Sequence, residues 1–199
     1  SEMYSPPRVT AELKRMTHRH LLPGFSLDLT VVDPDDGPPW DFSKSGKREK
    51  ARQMRRRQKP YMLIGSPMCT AFSTLQALNR AKSMDPEAYD RARRRAIKHV
   101  KFMVEMYLEQ MADGHYFLHE HPAFATSWQL KCMEELMSAP AVILARGDQC
   151  QYGAEAQRGS LKGSPILKPT GFLTNSPAVA EVLSRRCTGG DRQCSRPGG

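Results

Sequence analysis

Residues 61–73 read YMLIGSPMCTAFS, and residues 85–122 read DPEAYDRARRRAIKHVKFMVEMYLEQMADGHYFLHEHP. The apolar run Tyr61–Ile64 entering Gly65-Ser66-Pro67 predicts a central strand that ends in a loop. Asp85 is a good helix cap and Pro86 a good first-turn residue, so a helix is expected to about Asp113, stopping at Gly114. Its apolar positions Ile97, Val100, Val104, Leu108 and Met111 recur at three and four and predict one buried stripe. Tyr116–Leu118 then reads as a strand ending in His119-Glu120-His121-Pro122. Strand, long helix and strand in that order predict a parallel α/β sheet.

The flanking sequence repeats the alternation. Tyr4–Arg8 reads as an extended Ser-Pro-Pro turn, and Val9–Met16 as a short helix that Pro7 can begin. Phe25–Val32 is rich in strand formers and predicts a buried strand. Asp33–Pro39 is a turn cluster, and Ser45–Arg57 a basic helix with few apolar positions, expected to lie outside. Downstream, Ser127 can cap a helix through Met137, and Ala141–Ala145 reads as a strand. Gly153–Lys168 is a Gly-, Ser- and Lys-rich loop. Gly171–Thr174 is a late strand, and Ser176-Pro177 starts a last helix through Arg185. One domain over residues 1–186 is expected, with a Gly/Pro-rich basic tail over 187–199 that is loose unless a metal or the core holds it.

Composition narrows the function. The chain has 199 residues, a net charge of +9 and 26% charged residues. It is long enough to bury a core. No apolar run approaches a membrane span, and no segment has the order of a secretory signal. Five cysteines, an odd number at scattered spacing, point to a reducing compartment, nuclear or cytoplasmic, rather than to secretion. Between Lys44 and Lys59 there are nine basic residues and one acid, and a second basic cluster runs from Arg91 to Lys101. Such patches suit polyanions, though each also reads as a solvated helix face. Lys47, Arg48, Arg55, Arg56 and Arg57 are the expected nucleic-acid-facing residues of the first.

In a parallel sheet, sites gather at the carboxyl ends of strands. Asp28, Cys69, Glu120 and Asp148-Gln149-Cys150 all fall at such ends. A cysteine in a Pro-containing loop before a helix start can have its thiolate favoured by the helix N-terminus. Glu120, flanked by His119 and His121, does not read as core filler. A soft nucleophile and an acid on neighbouring strand ends can face one flat ring.

GSPMCTAFS resembles the nucleophile loop of DNA cytosine 5-methyltransferases, Gly-Gly-Pro-Pro-Cys-Gln-x-Phe-Ser, and Glu120-His121-Pro122 resembles their Glu-Asn-Val or Glu-Asn-Pro strand end. DQCQYG and KPTGFLTNS resemble later elements of compact, phage-type members. From YSPPR through LDLT, PWDF, FLHEHPAFATSW and RCTGG, the whole chain resembles methyltransferase-like domains in retroelement polyproteins of dinoflagellates and some other eukaryotes. The resemblance implies a compact Rossmann-like, class I methyltransferase-type sheet, mostly parallel, with flanking helices. It implies S-adenosylmethionine as cofactor and DNA as partner, with RNA and other polyprotein domains as further partners, and no membrane. Cys69 would attack carbon 6 of a flipped cytosine, and Glu120 would contact nitrogen 3 and the exocyclic amine. Ser5, Arg8, Asp28, Asp41 and Pro67 would lie on the cofactor side, with Asp28 near the ribose and Asp41 near the adenine. Thr70, Ser73, His121, Gln149 and Gln151 would lie on the nucleic-acid side.

Several elements depart from the family pattern. YSPPR stands where a Gly-rich turn is usual. Thr70, Met68 and His121 replace Gln, Pro and Asn. About a dozen residues, Ala154–Pro165, are left for target recognition. Three other readings remain: an inactive nucleic-acid-binding remnant, a zinc site of His119, His121, Cys150, Cys187 and Cys194, and a cysteine hydrolase with His119 or His121 as base. The cysteine spacing fits no standard zinc finger, so no metal is expected.

Overall fold

The computed structural model describes residues 1–16, 20–73, 85–188 and 194. Six strands form one mixed sheet: β1 Glu2–Met3, β2 Ser26–Leu27, β3 Met62–Gly65, β4 Tyr116–Pro122, β5 Ile143–Asp148 and β6 Pro169–Thr174. Their order is β2-β1-β3-β4-β6-β5. β2, β1, β3 and β4 pair in parallel, and β6 runs antiparallel to both β4 and β5. β5 therefore points the same way as β1 to β4, and only β6 is reversed.

Among the described residues there are five α-helices: α1 Val9–Arg15, α2 Ser45–Gln58, α3 Pro86–Ala112, α4 Lys131–Met137 and α5 Pro177–Val182. The Asp85 carboxylate accepts from the Glu87 amide, and Ser176 caps α5 through the Val179 amide, both with proline in the first turn. Gly114, at φ 75°, turns the chain out of α3 into β4.

The core lies between the sheet and α3. Met103, Tyr107, Phe117, Leu63, Phe42 and Phe102 are all at most 1% exposed. Gly65 is held to glycine there, because an added Cβ would lie 2.1 Å from the Tyr107 hydroxyl and 2.5 Å from Met103 Cε. The buried stripe of α3 differs from the expected one. Val100 and Val104 face the core with Met103, Met106 and Tyr107, whereas Leu108 is 47% exposed. Gln110 takes the inward place near the helix end and donates to the Pro60 carbonyl.

Several sequence-based boundaries are corrected. The expected strand Phe25–Val32 is only two residues long, because Asp28 turns the chain: its Oδ1 accepts from the Thr30 amide at 2.9 Å and its carbonyl from Val31 at 3.0 Å. β4 continues through both histidines. Ser127 lies in a short 3₁₀ turn, Thr126–Gln129, and α4 starts after it. α5 ends at Val182 rather than at Arg185. The segment after Cys69 is a 3₁₀ turn, Thr70–Phe72, and residues 74–84 lie outside the described residues.

Candidate active site

β3 and β4 are in register up to Gly65 opposite His119, so Ser66, which leaves β3, stands beside Glu120, which continues in β4 paired with Phe172 of β6. β4 alternates strictly: Phe117, His119 and His121 are buried on one face, and Leu118 and Glu120 are half-buried on the other. Glu120 therefore lies on the opposite face of the sheet from the histidines. The Ser66 hydroxyl donates to its carboxylate, and Lys168 Nζ stands 4.0 Å from Oε1. Oε1 itself is buried with no hydrogen-bond donor among the described residues. Burial raises the Glu120 pKa above its ordinary value, against the pull of Lys168, Ser66 and Arg8.

Cys69 follows Ser66 by three residues and is half-buried. Its carbonyl accepts from the Phe72 amide at 2.9 Å, which closes the turn. A three-residue turn supplies little of the dipole expected from an α-helix. The loop is held instead by His121. Its Nε2 lies 3.1 Å from the Pro67 carbonyl, and its Nδ1 lies 2.5 Å from Ser127 Oγ. A carbonyl only accepts, so Nε2 carries the proton and Nδ1 accepts from the serine. Burial pushes the His121 pKa down to about 4 and keeps the ring neutral.

His121 was expected on the nucleic-acid side, but it is 1% exposed and tethers the Cys69 loop through the Pro67 carbonyl. His119 is fully buried, with Nδ1 3.2 Å from the Tyr107 hydroxyl and its ring edge-on to Trp128. Burial, with His121 alongside, holds its pKa well below the ordinary value. These rings belong to the core. They supply no solvent-facing base for a hydrolase, and they stand apart from the cysteine cluster of the sheet edge.

The loop 4–8 leaves the end of β1. Tyr4 takes φ 58°, the left-handed turn that glycine usually makes. Sequence reasoning missed the residue that closes this loop. Glu2, 1% exposed, accepts from the amides of Arg8 (3.0 Å), Val9 (3.4 Å) and Thr10 (2.9 Å), and from the Thr10 hydroxyl (2.6 Å). The available signal was a lone acid in an apolar strand just before a helix start. The Ser26 hydroxyl donates to the Ser5 carbonyl at 3.0 Å, which joins the loops after β1 and β2.

Asp28 stands at the end of β2. Thr30 donates twice to its Oδ1, and no described residue donates to its Oδ2. Asp41 accepts from the Ser43 amide and lies 3.6 Å from Arg95. Burial opposes its charge, but Ser43, Arg95 and His99 hold its pKa below the ordinary value. The free oxygen of Asp28 can accept from a hydroxyl such as that of a ribose. Pro67 is buried in the Cys69 loop.

The basic helix α2 is not the free surface expected. Lys47 is buried on Asp33 (2.6 Å) and Asp36 (2.5 Å). Arg48 donates to the Phe42 and Ser43 carbonyls. Arg55, 2% exposed, pairs with Asp113 (2.7 Å) and Glu109 (3.1 Å), and Arg56 pairs with Glu109 (3.1 Å). Arg57 is exposed. Arg55 to Arg57 lie just before β3, and Asp113, the partner of Arg55, lies just before β4. They therefore sit at the opposite end of these strands from Cys69. A sequence count cannot see this, because the acids that pair with Arg55 and Arg56 are more than 50 residues away.

The second basic cluster lies beside the Cys69 loop. A 480 Å³ cavity there is lined by Met68, Thr70 and Ala71 with Tyr89, Arg91 and Arg95 of α3. Arg93 reaches over the Phe72 ring, 5.7 Å from its centroid. Arg91, Arg94, Arg95 and Lys98 are exposed. Thr70 is exposed and Ser73 half-buried in the same loop. Gln149 donates to Thr170 Oγ1 at 3.1 Å, while Gln151 is exposed.

Comparison with known proteins finds no matching family model, no matching curated protein and no matching solved structure. The functional reading therefore rests on the residues and geometry described above. No helix among the described residues is long and apolar enough to cross a membrane.

Proposed function

We propose that this chain is an S-adenosylmethionine-dependent cytosine 5-methyltransferase-like domain that acts on DNA through Cys69, as one domain of a retroelement polyprotein. The observation that carries the proposal is that the Cys69 loop leaves β3 beside Glu120 of the adjacent parallel strand β4, with Ser66 bonded to Glu120 and Pro67 to His121. A parallel sheet with one reversed strand set before its last member also suits the Rossmann-like, class I methyltransferase type.

The chemistry follows from the side chains. The Cys69 thiolate adds to carbon 6 of a cytosine turned out of its stack, forming an S–C6 bond. Glu120, whose pKa burial raises, is the acid that would protonate nitrogen 3 as the ring takes up the electrons displaced by the thiolate. Carbon 5 is then nucleophilic and takes a methyl group, which S-adenosylmethionine supplies when bound. Loss of the carbon 5 proton and expulsion of the thiolate restore the ring. Asp28 and Asp41 would hold the cofactor, and Arg91, Arg94, Arg95 and Lys98 would meet phosphates beside the cavity.

A second reading, an inactive nucleic-acid-binding remnant, is favoured by Pro6 and Pro7, which remove two N–H donors from the loop after β1. Calorimetric titration with S-adenosylmethionine separates the two. The methyltransferase reading expects micromolar binding that Asp28→Ala weakens at least tenfold. It also expects a covalent adduct on Cys69 with DNA containing 5-fluorocytosine, in which the blocked carbon 5 traps the enzyme. An RNA oligonucleotide of the same sequence tests the substrate class. No binding by the folded chain at millimolar cofactor leaves the remnant reading.

A further inference from the structure

Three thiols meet at the far edge of the sheet. Cys150 lies in the 3₁₀ turn Gln149–Tyr152 that follows β5, Cys187 lies beyond α5, and Cys194 lies in the C-terminal tail. Their sulfur atoms are all within 4.8 Å of one another, and no disulfide joins them. The Cys187 and Cys194 sulfurs are 3.3 Å apart. A tetrahedral zinc with Zn–S bonds of about 2.3 Å separates its sulfurs by about 3.8 Å, which these positions reach with small side-chain adjustments.

Two of the three positions are held by the backbone. Asp148, 2% exposed, accepts at Oδ2 from the Cys187 amide (2.7 Å) and from Arg186 Nε (3.0 Å). The Asp148 amide donates to the Arg185 carbonyl at 2.9 Å. The Tyr152 hydroxyl donates to the Val182 carbonyl (3.1 Å) and accepts from the Arg185 amide (3.0 Å). Gly147 allows this close passage, since a Cβ there would lie 2.5 Å from the Leu183 carbonyl oxygen. The residues after α5 are thus pinned to the end of β5 by the side chains that flank Cys150. The second Asp148 oxygen, Oδ1, is buried with no donor among the described residues. It is a ready acceptor for a metal-bound water.

We propose that Cys150, Cys187 and Cys194 form a zinc site that fastens the C-terminal tail to the end of β5, with a water in the fourth position. Three sulfur donors select a soft or borderline cation over calcium or magnesium. Binding releases the three thiol protons to solvent and involves no electron transfer. The site excludes the histidines and stands independently of the methyltransferase reading. The 187–199 segment is accordingly not a loose tail throughout.

The test uses the full chain, purified under reducing conditions, given zinc and desalted. Elemental analysis is expected to find about one zinc per chain. Cobalt in its place should give sulfur-to-metal charge-transfer absorption and intense tetrahedral visible bands. Cys150→Ser, Cys187→Ser and Cys194→Ser should each weaken zinc binding at least tenfold in a chelator competition, while Cys69→Ser and Cys132→Ser retain it. The cobalt spectrum of the unaltered chain needs no variant to fold. Less than about 0.1 zinc per chain, zinc retained by Cys194→Ser, or a Cys187–Cys194 disulfide that forms in preference to metal uptake overturns the proposal.

Discussion

Acidification should loosen this protein through His121, and His121→Asn should remove much of that sensitivity. The imidazole pKa falls from 6.5 to about 4 in the folded chain because the ring is buried and Lys168 adds like charge, partly offset by the bond to Pro67. A base whose folded pKa is lowered stabilises the fold fully above pH 6.5, and that stability is lost as pH falls toward 4. By linkage the loss is about 2 kcal/mol at pH 5 and about 3 kcal/mol at pH 4. His119 contributes with the same sign. Glu120 acts with the opposite sign, and Asp33, held near 2 by Lys47 and Lys50 against its burial, titrates below this range. Asparagine keeps one donor for Pro67 and one acceptor for Ser127 but carries no titratable proton. Urea denaturation at pH 8 and pH 5 reads the effect. The unaltered chain should lose about 2 kcal/mol more than His121→Asn, a midpoint difference of about 1 M. Equal losses within about 0.5 kcal/mol would refute the assignment of His121 as a buried neutral tether.

Other outcomes follow from the same contacts. Arg55→Ala should cost about 3 kcal/mol in chemical denaturation, because it empties a buried site and removes the ion pairs of Arg55 with Asp113 and Glu109, whereas Arg57→Ala should change stability by less than about 0.5 kcal/mol. Arg94→Ala and Lys98→Ala should each reduce the salt slope of DNA binding by about 1 in fluorescence anisotropy, while Arg56→Ala leaves it unchanged. Glu120→Gln should abolish adduct formation yet raise the urea midpoint at pH 8. Glu120 has a raised folded pKa, so its ionisation costs stability as pH rises, and the amide removes that cost. A lower midpoint for Glu120→Gln at pH 8 would count against this sign.

The alternation of elements was legible because it is written locally. Asp85-Pro86, Gly114 and Ser176-Pro177 mark helix ends through their own backbone chemistry, and the structure places α3 and α5 starts at those residues. Cys69 was legible as a residue of the loop after β3 for the same reason, whereas Glu120 was expected at a strand end and lies inside β4. Long-range pairing was not. Lys47 and Arg55 read as solvated because their sequence neighbours are basic, yet each is buried against acids from another segment. His119 and His121 read as site residues because they flank an acid, but a strand sends alternate side chains to opposite faces. The cysteine cluster depends on Cys187 and Cys194 lying near Cys150 after β5, which their spacing alone does not encode.

The loop after β1 shows how a turn without glycine shapes the site. A left-handed tyrosine is strained by about 1–2 kcal/mol, and Tyr4 offsets this by burying its ring on Phe42 and bonding His99 at 2.8 Å. The loop is thereby locked to the core. Its backbone donors are also largely committed: the Tyr4 amide goes to Leu27, the Arg8 amide to Glu2, and Pro6 and Pro7 have none. Only the Ser5 amide is left among residues 4–8 to meet a ligand. Recognition on this side must therefore come mainly from side chains at the neighbouring strand ends, with Asp28 foremost. For that reason Asp28→Ala, rather than any change in the loop itself, is the substitution that should weaken cofactor binding most in the calorimetric titration.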